Sequence, residues 1–583
     1  MKTPLSLALS ILSLSLSLFA APEAWRNGER VPLWPEGKIP DFQPHQIGAM
    51  TDEAQTNAEW RAAHRMPYLE WFAAPTSNQT HGCMILISGG GYGCCCDMYL
   101  IRIWRETFTA RGFQCVNLVY RTPRPNGLVC HQSAWEDGQR AVRLVRRDAK
   151  KRGFDPEKIG VIGMSAGGHL ACLLATSALT PAYAKVDEVD DLPCHVNWAI
   201  ANAPAYNTAN GAAGGQTKED GVTVVPTISP YLKFDEKTCP ISFHHGGNDP
   251  WTPNGSTLAY RELRKRKIPA ELHLYADEPH GAWGLERALE FMRQMNFDGR
   301  LTGDDQWIEH RWLPGDTART EKQRLWPEGK VPDRTANQKF DPYLVWFVPE
   351  KLTTKAIQVI TPGGGYGFCN FNGEGTPVAH YLNGKGMTTV VVMYRYPRAT
   401  GRPKHFSALQ DAQRAIRLVR AEAPARGLDP NRIGVMGFSA GGHLALMAAL
   451  NSRTPAYAPV DEIDRLPSTV QWACPIYPSY VLTDGVYSCN SNGGNGDNDV
   501  IVPEFDFDAD TPPMCFVHGD ADVIASMCSV KTWEKLRTMG VQCDLHTLAK
   551  CGHCFQLRTW PGTGAYTWLD RIWDFLSHKG FNK

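Results

Sequence analysis

The chain has 583 residues, too many for one hydrophobic core, which points to two domains of nearly 300 residues each. Lys+Arg and Asp+Glu both number 60 and form no long basic run, so the charge gives no sign of a nucleic-acid partner. A hydrophobic fraction of 43% with no low-complexity segment excludes a fibrous or disordered chain.

At the N-terminus, Lys2 precedes Leu5–Phe19, a Leu/Ser-rich apolar run, and Ala20-Ala21-Pro22 follows it. The run is shorter than the ~20 residues of a membrane span, and small residues come after it. The expectation is a signal peptide over residues 1–20, cleaved near Ala20, with an N-terminal anchor or core helix as the alternative. A mature protein that is secreted or periplasmic, with no stable membrane insertion after cleavage, follows from the first reading. Export permits disulfides, but the 17 cysteines are odd in number, and Cys94-Cys95-Cys96 are adjacent and cannot all pair locally. Most are expected to be free or buried thiols. Cys551-x-x-Cys554 lacks a second ligand pair, so neither a zinc site nor any other metal or cofactor is expected.

The rest of the chain repeats itself. Leu33-Trp-Pro-Glu-Gly-Lys38 returns as Leu325-Trp-Pro-Glu-Gly-Lys330, and Gly89-Gly-Gly-Tyr-Gly93 as Gly363-Gly-Gly-Tyr-Gly367. Tyr120-Arg121 returns as Tyr394-Arg395, and Thr180-Pro-Ala-Tyr183 as Thr454-Pro-Ala-Tyr457. A period this long means duplication of a whole domain, because solenoid repeats are ~20–50 residues. The expected domains are residues 21–311 and 312–583. Each is expected to fold alone, with no shared element needed to close either core.

Within the first copy, Met84–Ile87 and Gln114–Tyr120 read as strands, and Trp135, Gly138, Ala141/Val142 and Val145 recur at helical spacing. A strand from Ile159 enters Gly163-Met-Ser-Ala-Gly167 and then a helix. Further strands are expected at Trp198–Ala201, Pro240–His244 and Glu271–Tyr275, with helices at Ser256–Arg266 and after Gly284. Alternation of this kind implies an α/β fold: a mostly parallel sheet in each copy, covered by helices on both faces. Ligands then gather at the carboxyl ends of the strands.

Gly163-Met-Ser-Ala-Gly167, repeated as Gly437-Phe-Ser-Ala-Gly441, is a G-x-S-x-G nucleophile elbow in the required strand–turn–helix setting. It nominates Ser165 and Ser439. Such a serine needs a base, an acid to orient the base, and donors for an oxyanion. In an elbow hydrolase the order is serine, acid, histidine. His169 and His443 lie one turn beyond the serines, where packing is the expected role. His245 and His518 precede the candidate acids, and His273 and His546 sit in an alternating strand as structural histidines. His280 and His553, in loops after that strand, are the expected bases. Asp249 and Asp522 are the expected acids, chosen over Asp520 because Asp520 aligns with Gly247, and because 31 residues separate acid from base in both copies. The backbone of Gly90 and Gly91 with Ala166, and of Gly364 and Gly365 with Ala440, is the expected oxyanion hole. A phosphate cradle is disfavoured, since no G-x-G-x-x-G and no G-K-[ST] ending occurs.

With these residues in place, each half resembles the α/β-hydrolase esterases of the acetyl-xylan/feruloyl esterase-like (BD-FAE-like) group. The resemblance rests on Leu-Trp-Pro-Glu-Gly, Gly-Gly-Gly-Tyr, Tyr-Arg, G-x-S-A-G-G-H-L, His-Gly-x-x-Asp and the late histidine, in that order in both halves. It implies tandem α/β-hydrolase domains and a metal-free serine carboxylesterase. The implied substrate, an acylated carbohydrate, would lose acetyl or other small acyl groups from plant-type polysaccharides or oligosaccharides. The copies depart from each other at Ser88 against Pro362, Leu100 against Glu374, and Pro250–Pro253 against Val523–Ser526. The alternatives are a prolyl-oligopeptidase-like serine peptidase and a chain in which one half is a silent polysaccharide-binding module. The residues leave the oligomeric state open.

Overall fold

The structure is a computed structural model, and it describes residues 28–50, 63–75, 79–96, 98–209, 227–298, 308–309, 319–338, 340–483, 500–559 and 567–583. The expected signal peptide and the expected boundary between residues 311 and 312 lie outside the described residues. Among those described, no helix is long and apolar enough to cross a membrane. The cysteines among them are free thiols, most of them buried.

The first half contributes β1 (Glu29–Pro32), β2 (Tyr68–Phe72), β3 (Cys83–Ile87), β4 (Gln114–Val119), β5 (Ile159–Met164), β6 (Trp198–Asn202), β7 (Ile241–Gly246) and β8 (Ala270–Tyr275). A short β9 (Ile308–Glu309) follows, and it pairs with β18 (Arg558–Thr559). The second half repeats the series as β10 (Arg319–Arg324), β11 (Tyr343–Val348), β12 (Ile357–Thr361), β13 (Thr388–Met393), β14 (Ile433–Phe438), β15 (Trp472–Ile476), β16 (Met514–Gly519) and β17 (Cys543–Leu548). In each half the two edge pairs (β1 with β2 and β2 with β4, β10 with β11 and β11 with β13) are antiparallel, and the remaining pairs within the half are parallel.

Every residue of β3, β4, β6 and β7 is buried, which is why these strands read as apolar or β-favouring runs. Helices cover both faces of a parallel sheet, so neither face is wetted. The expected elements are all present, with ends shifted by a residue or two except for the helix of the arginine face, which runs from Gln132 to Asp148. A helix at Met98–Ala110 and the antiparallel edge strands were not anticipated from the periodicity.

The repeated motifs explain themselves as packing. Trp34 donates through Nε1 to Asp137 Oδ1 (2.7 Å), and buried Arg121 reaches the same carboxylate through Nε (3.0 Å). Trp326 and Arg395 meet Asp411 in the same way, at 2.8 and 3.1 Å. Leu-Trp-Pro-Glu-Gly and Tyr-Arg therefore fasten the N-terminal segment of each half to its arginine-bearing helix.

In one respect the arrangement differs from expectation. The two sheets are not separate: β8 pairs antiparallel with β17, with His273 opposite His546, and all sixteen main strands form one continuous sheet. Its outer edges are β1 and β10, the latter Arg-Thr-Glu-Lys-Gln-Arg, whereas β8 and β17 lie buried at the centre.

Candidate active sites

Each elbow follows from local sterics. Ser165 has φ 56° and ψ −118°, and Ser439 has φ 53° and ψ −117°, a conformation that is costly for a residue with a side chain. The tight turn presses strand against helix. A Cβ at Gly163 would lie 2.1 Å from Gly167 O, and one at Gly437 would lie 1.9 Å from Gly441 O. A Cβ at Gly167 would lie 2.4 Å from Ser88 O, so the elbow also touches the strand that leads into the triple glycine. Helices Ala166–Thr176 and Ala440–Leu450 begin directly after the serines.

The acid and base arrive from neighbouring strand ends, Asp249 and His280 after β7 and β8, Asp522 and His553 after β16 and β17. His280 Nδ1 lies 2.7 Å from Asp249 Oδ2, and His553 Nδ1 lies 2.9 Å from Asp522 Oδ2. An ionised carboxylate only accepts, so each Nδ1 carries the proton and Nε2 presents its lone pair. In the second half that lone pair meets the serine, with His553 Nε2 2.8 Å from Ser439 Oγ. In the first half, Ser165 and His280 share no direct hydrogen bond among the described residues. The structure thus brings together all three predicted residues of the second site, and joins the acid and base of the first.

A second histidine backs each acid. His245 Nε2 stands 3.0 Å from Asp249 Oδ2, and His518 Nε2 3.4 Å from Asp522 Oδ2. Chain order removed these residues from consideration as bases, but the i,i+4 spacing across a turn was a signal for this supporting place. Burial opposes ionisation of Asp249, yet hydrogen bonds from His245 and His280 outweigh it and hold the carboxyl well below the usual range. At Asp522 too burial opposes ionisation, and His518 and His553 outweigh it and lower the carboxyl.

Burial also works against charge on His553, but Asp522, and after it the neighbouring Cys554, hold the imidazole above the ordinary histidine range. A base must be neutral to accept a proton. Raising its pKa therefore moves the acid limb of kcat/KM at the second site to higher pH than an ordinary histidine gives. With Ser165 replaced by Ala to isolate that site, Cys554→Ala shifts the limb back toward lower pH. An unmoved limb removes Cys554 from this account.

The glycine loops have left-handed geometry, with φ 123° at Gly90, 61° at Gly91, 128° at Gly364 and 62° at Gly365. A Cβ at Gly90 would come within 2.2 Å of Cys94 O, and one at Gly364 within 2.3 Å of Phe368 O. Among the described residues, the N–H groups of Gly90, Gly91, Ala166, Gly364, Gly365 and Ala440 donate to no other protein group. They remain available to a substrate oxygen.

The walls of the two sites differ. In the second, buried Glu374 accepts from Gly363 N–H (2.7 Å) and from Tyr477 Oη (2.9 Å), and the Tyr477 ring stands 5.0 Å from that of His553. The first half has Leu100 and Ala203 at these places. Instead, the Trp251 ring lies 6.2 Å from His280 and 6.1 Å from Tyr206. The Leu100/Glu374 contrast was legible in the sequence, but the Tyr477 partner was not.

Two other groups gather potential metal ligands within 4.8 Å, His405/His443/Glu504 and Cys515/Asp544/His546. In the first, the Lys404 ammonium sits 3.4 Å from Glu504 Oε1, the oxygen that His443 Nε2 approaches at 3.2 Å, so a cation of the protein already stands beside that carboxylate. In the second, Asp544 Oδ1 accepts from Ala276 N–H (2.8 Å), and burial raises the Cys515 thiol well above its ordinary value. Neither group includes a residue of either triad.

The BD-FAE family model matches residues 69–263 and 347–469, one segment in each half and more than half of the chain together. An acetylxylan esterase of Xylanibacter ruminicola is 27% identical over 228 residues, covering 37% of this chain and 44% of that protein. Endo-1,4-beta-xylanase B of Butyrivibrio fibrisolvens is 28% identical over 214 residues, covering 35% and 32%. The probable carboxylic ester hydrolase LipM of Mycobacterium tuberculosis is 33% identical over 142 residues, covering 24% and 32%. This chain spans less than half the length of each of these curated relatives. Among solved structures, an acetyl ester-xyloside bifunctional hydrolase from Caldicellulosiruptor lactoaceticus is 25% identical, with a TM-score of 0.38, over 46% of this chain and 100% of that one.

Proposed function

The chain belongs to the BD-FAE family, and from that premise we propose that it is a carboxylic ester hydrolase removing acyl groups, acetyl foremost, from plant-type polysaccharides or oligosaccharides. The observation that carries this reading is the contact of Ser439 Oγ with His553 Nε2 at 2.8 Å, with Asp522 2.9 Å behind the imidazole. The acyl and sugar preference is supported by the acetylxylan esterase and the xylanase among its relatives.

In each half His553 or His280 takes the serine proton as Oγ attacks the ester carbonyl, and Asp522 or Asp249 steadies the imidazolium that forms. The N–H groups of Gly364, Gly365 and Ala440, or of Gly90, Gly91 and Ala166, receive the developing oxyanion, usually the largest electrostatic contribution to acyl transfer. As the bond from the carbonyl carbon to the sugar oxygen breaks, the imidazolium gives its proton to that oxygen, which leaves as the sugar hydroxyl. Water, deprotonated by the same histidine, releases the acid from the acyl-serine. Export to the cell exterior or periplasm suits a polymeric substrate of this kind.

A serine-directed phosphonate is expected to label Ser165 and Ser439 and to stop turnover on acetylated xylan, with no loss of activity on adding a chelator. Activity lost to chelator and restored by metal would sink the mechanism. Labelling confined to Ser439 would make the first half a binding module. Cleavage of proline-containing peptides in preference to acetyl esters would favour a peptidase.

A further inference from the structure

The β8–β17 seam carries more than a strand pair. Arg537, on helix Met527–Thr538 of the second half, donates through Nε to Gly247 O (3.1 Å) and through Nη1 to Thr252 Oγ1 (3.2 Å) in the first half. These two atoms flank Asp249 in its loop. Within the first half the loop is tied through its backbone, Gly247 N–H to Tyr275 O (2.6 Å), Asn248 N–H to Glu278 O (3.1 Å) and Thr252 N–H to Asp249 O (3.2 Å). Trp251 N–H donates to Asp249 Oδ1 (2.8 Å), and Arg537 adds the side-chain tie from the other half.

The second half receives the reciprocal arrangement. Asp520, two residues before Asp522, accepts from Arg264 Nη1 (3.3 Å), Tyr260 Oη (3.1 Å) and Ala270 N–H (3.2 Å), all of the first half. Arg264 is the counterpart of Arg537, and Asp520 the counterpart of Gly247. The segments leading to the bases are held across the seam as well. Ala276 N–H, before His280, donates to Asp544 Oδ1 (2.8 Å), and Ala549 N–H, before His553, to Glu271 Oε1 (3.1 Å).

From this reciprocity we propose that Arg537 is a positioning residue for Asp249 and His280, and Arg264 one for Asp522 and His553, so that each half completes the acid loop of the other. The inference rests on the reading that both serines act in catalysis. Its physical basis is that acid and base must stand within a fraction of an ångström of the productive geometry, and loops hold a site less firmly than strands or helices do. Arg537 bridges both sides of Asp249, and Arg264 holds the residue two before Asp522, and each contact removes some of that freedom. Not every contact across the seam has this effect: Arg261 pairs with Glu534 and touches neither loop.

The test uses the full chain and a p-nitrophenyl phosphonate, with mass spectrometry following the labelling of Ser165 and Ser439 separately in one molecule. Arg537→Ala is expected to slow labelling of Ser165 by roughly 10²-fold, the order of loss an ångström of misplacement causes. Ser439 in the same molecule keeps its parent rate, which shows that the variant is folded. Arg537→Lys regains part of the loss, since an ammonium reaches one of the two acceptors. Arg264→Ala slows Ser439 instead, and Arg261→Ala slows neither. Equal slowing of both serines by Arg537→Ala, or no slowing of Ser165, overturns the proposal. A parent chain in which Ser165 is never labelled sinks the functional reading for the first half, and the positioning role of Arg537 with it.

Discussion

Ser439→Ala is expected to silence the second proposed site and Ser165→Ala the first, each by about 10⁶-fold in kcat, the loss recorded when the triad serine is removed from another hydrolase. The size of the effect follows from the missing nucleophile: without Oγ there is no acyl-enzyme, and only residual rate from the glycine loop and substrate binding remains. Because Glu374 and Tyr477, whose sequence counterparts are Leu100 and Ala203, stand at the second site, the two sites should prefer different acyl or sugar groups. Measured on acetylated xylan, acetylated monosaccharides, feruloyl esters and short p-nitrophenyl esters, each single change should therefore spare a different part of the panel. If either one alone removed all activity on every substrate, the two halves would not be separate catalysts.

Asp522→Asn comes next in size, with an expected loss of about 10⁴-fold, as found when the triad acid of another serine hydrolase was made an amide. The shape is kept and the tautomer is lost. An amide nitrogen facing His553 Nδ1 leaves the ring proton on Nε2, where it can no longer accept from Ser439. The same change at Asp520 is the informative comparison. That carboxylate meets Arg264, Tyr260 and Ala270 of the other half, not His553, so Asp520→Asn should cost far less. Both are measured as kcat with Ser165 replaced by Ala. A larger loss at Asp520 than at Asp522 would reverse the choice of acid.

Much of this was legible in the residues. A G-x-S-x-G turn has few steric solutions, so the elbow geometry at Ser165 and Ser439 could be read directly. The constant 31-residue interval from acid to histidine located Asp249 and Asp522 without a structure. Chain order hid the supporting histidines, because His245 and His518 come too early to be bases, and their i,i+4 spacing to the acids was the one signal that they stand behind the same carboxylate. The seam was hidden for a different reason. Ala270–Tyr275 and Cys543–Leu548 both read as strands, but strand pattern does not say which edge meets which, and His273 and His546 looked like ordinary core histidines. Asp520 was set aside as the rival acid, and only its neighbours across the seam give it a place. Tyr477 has Ala203 as its counterpart, so comparing the copies gave no hint of its bond to Glu374.

The unlike contacts at the seam bear on how such a molecule assembles. Two free first halves meeting through β8 would set Arg264 against Gly247, with no carboxylate to receive it. Two free second halves would set Arg537 against Asp520, and neither would have the Tyr260–Asp520 bond. Only a mixed pair satisfies every partner, yet separate chains in solution would sample all three pairings. Joining the halves in one polypeptide fixes the stoichiometry at one to one and replaces a bimolecular encounter by a local concentration that short tethers set in the millimolar range. Once that encounter is made, the edges left outside are β1 and the charged β10, the kind of edge that discourages a third partner.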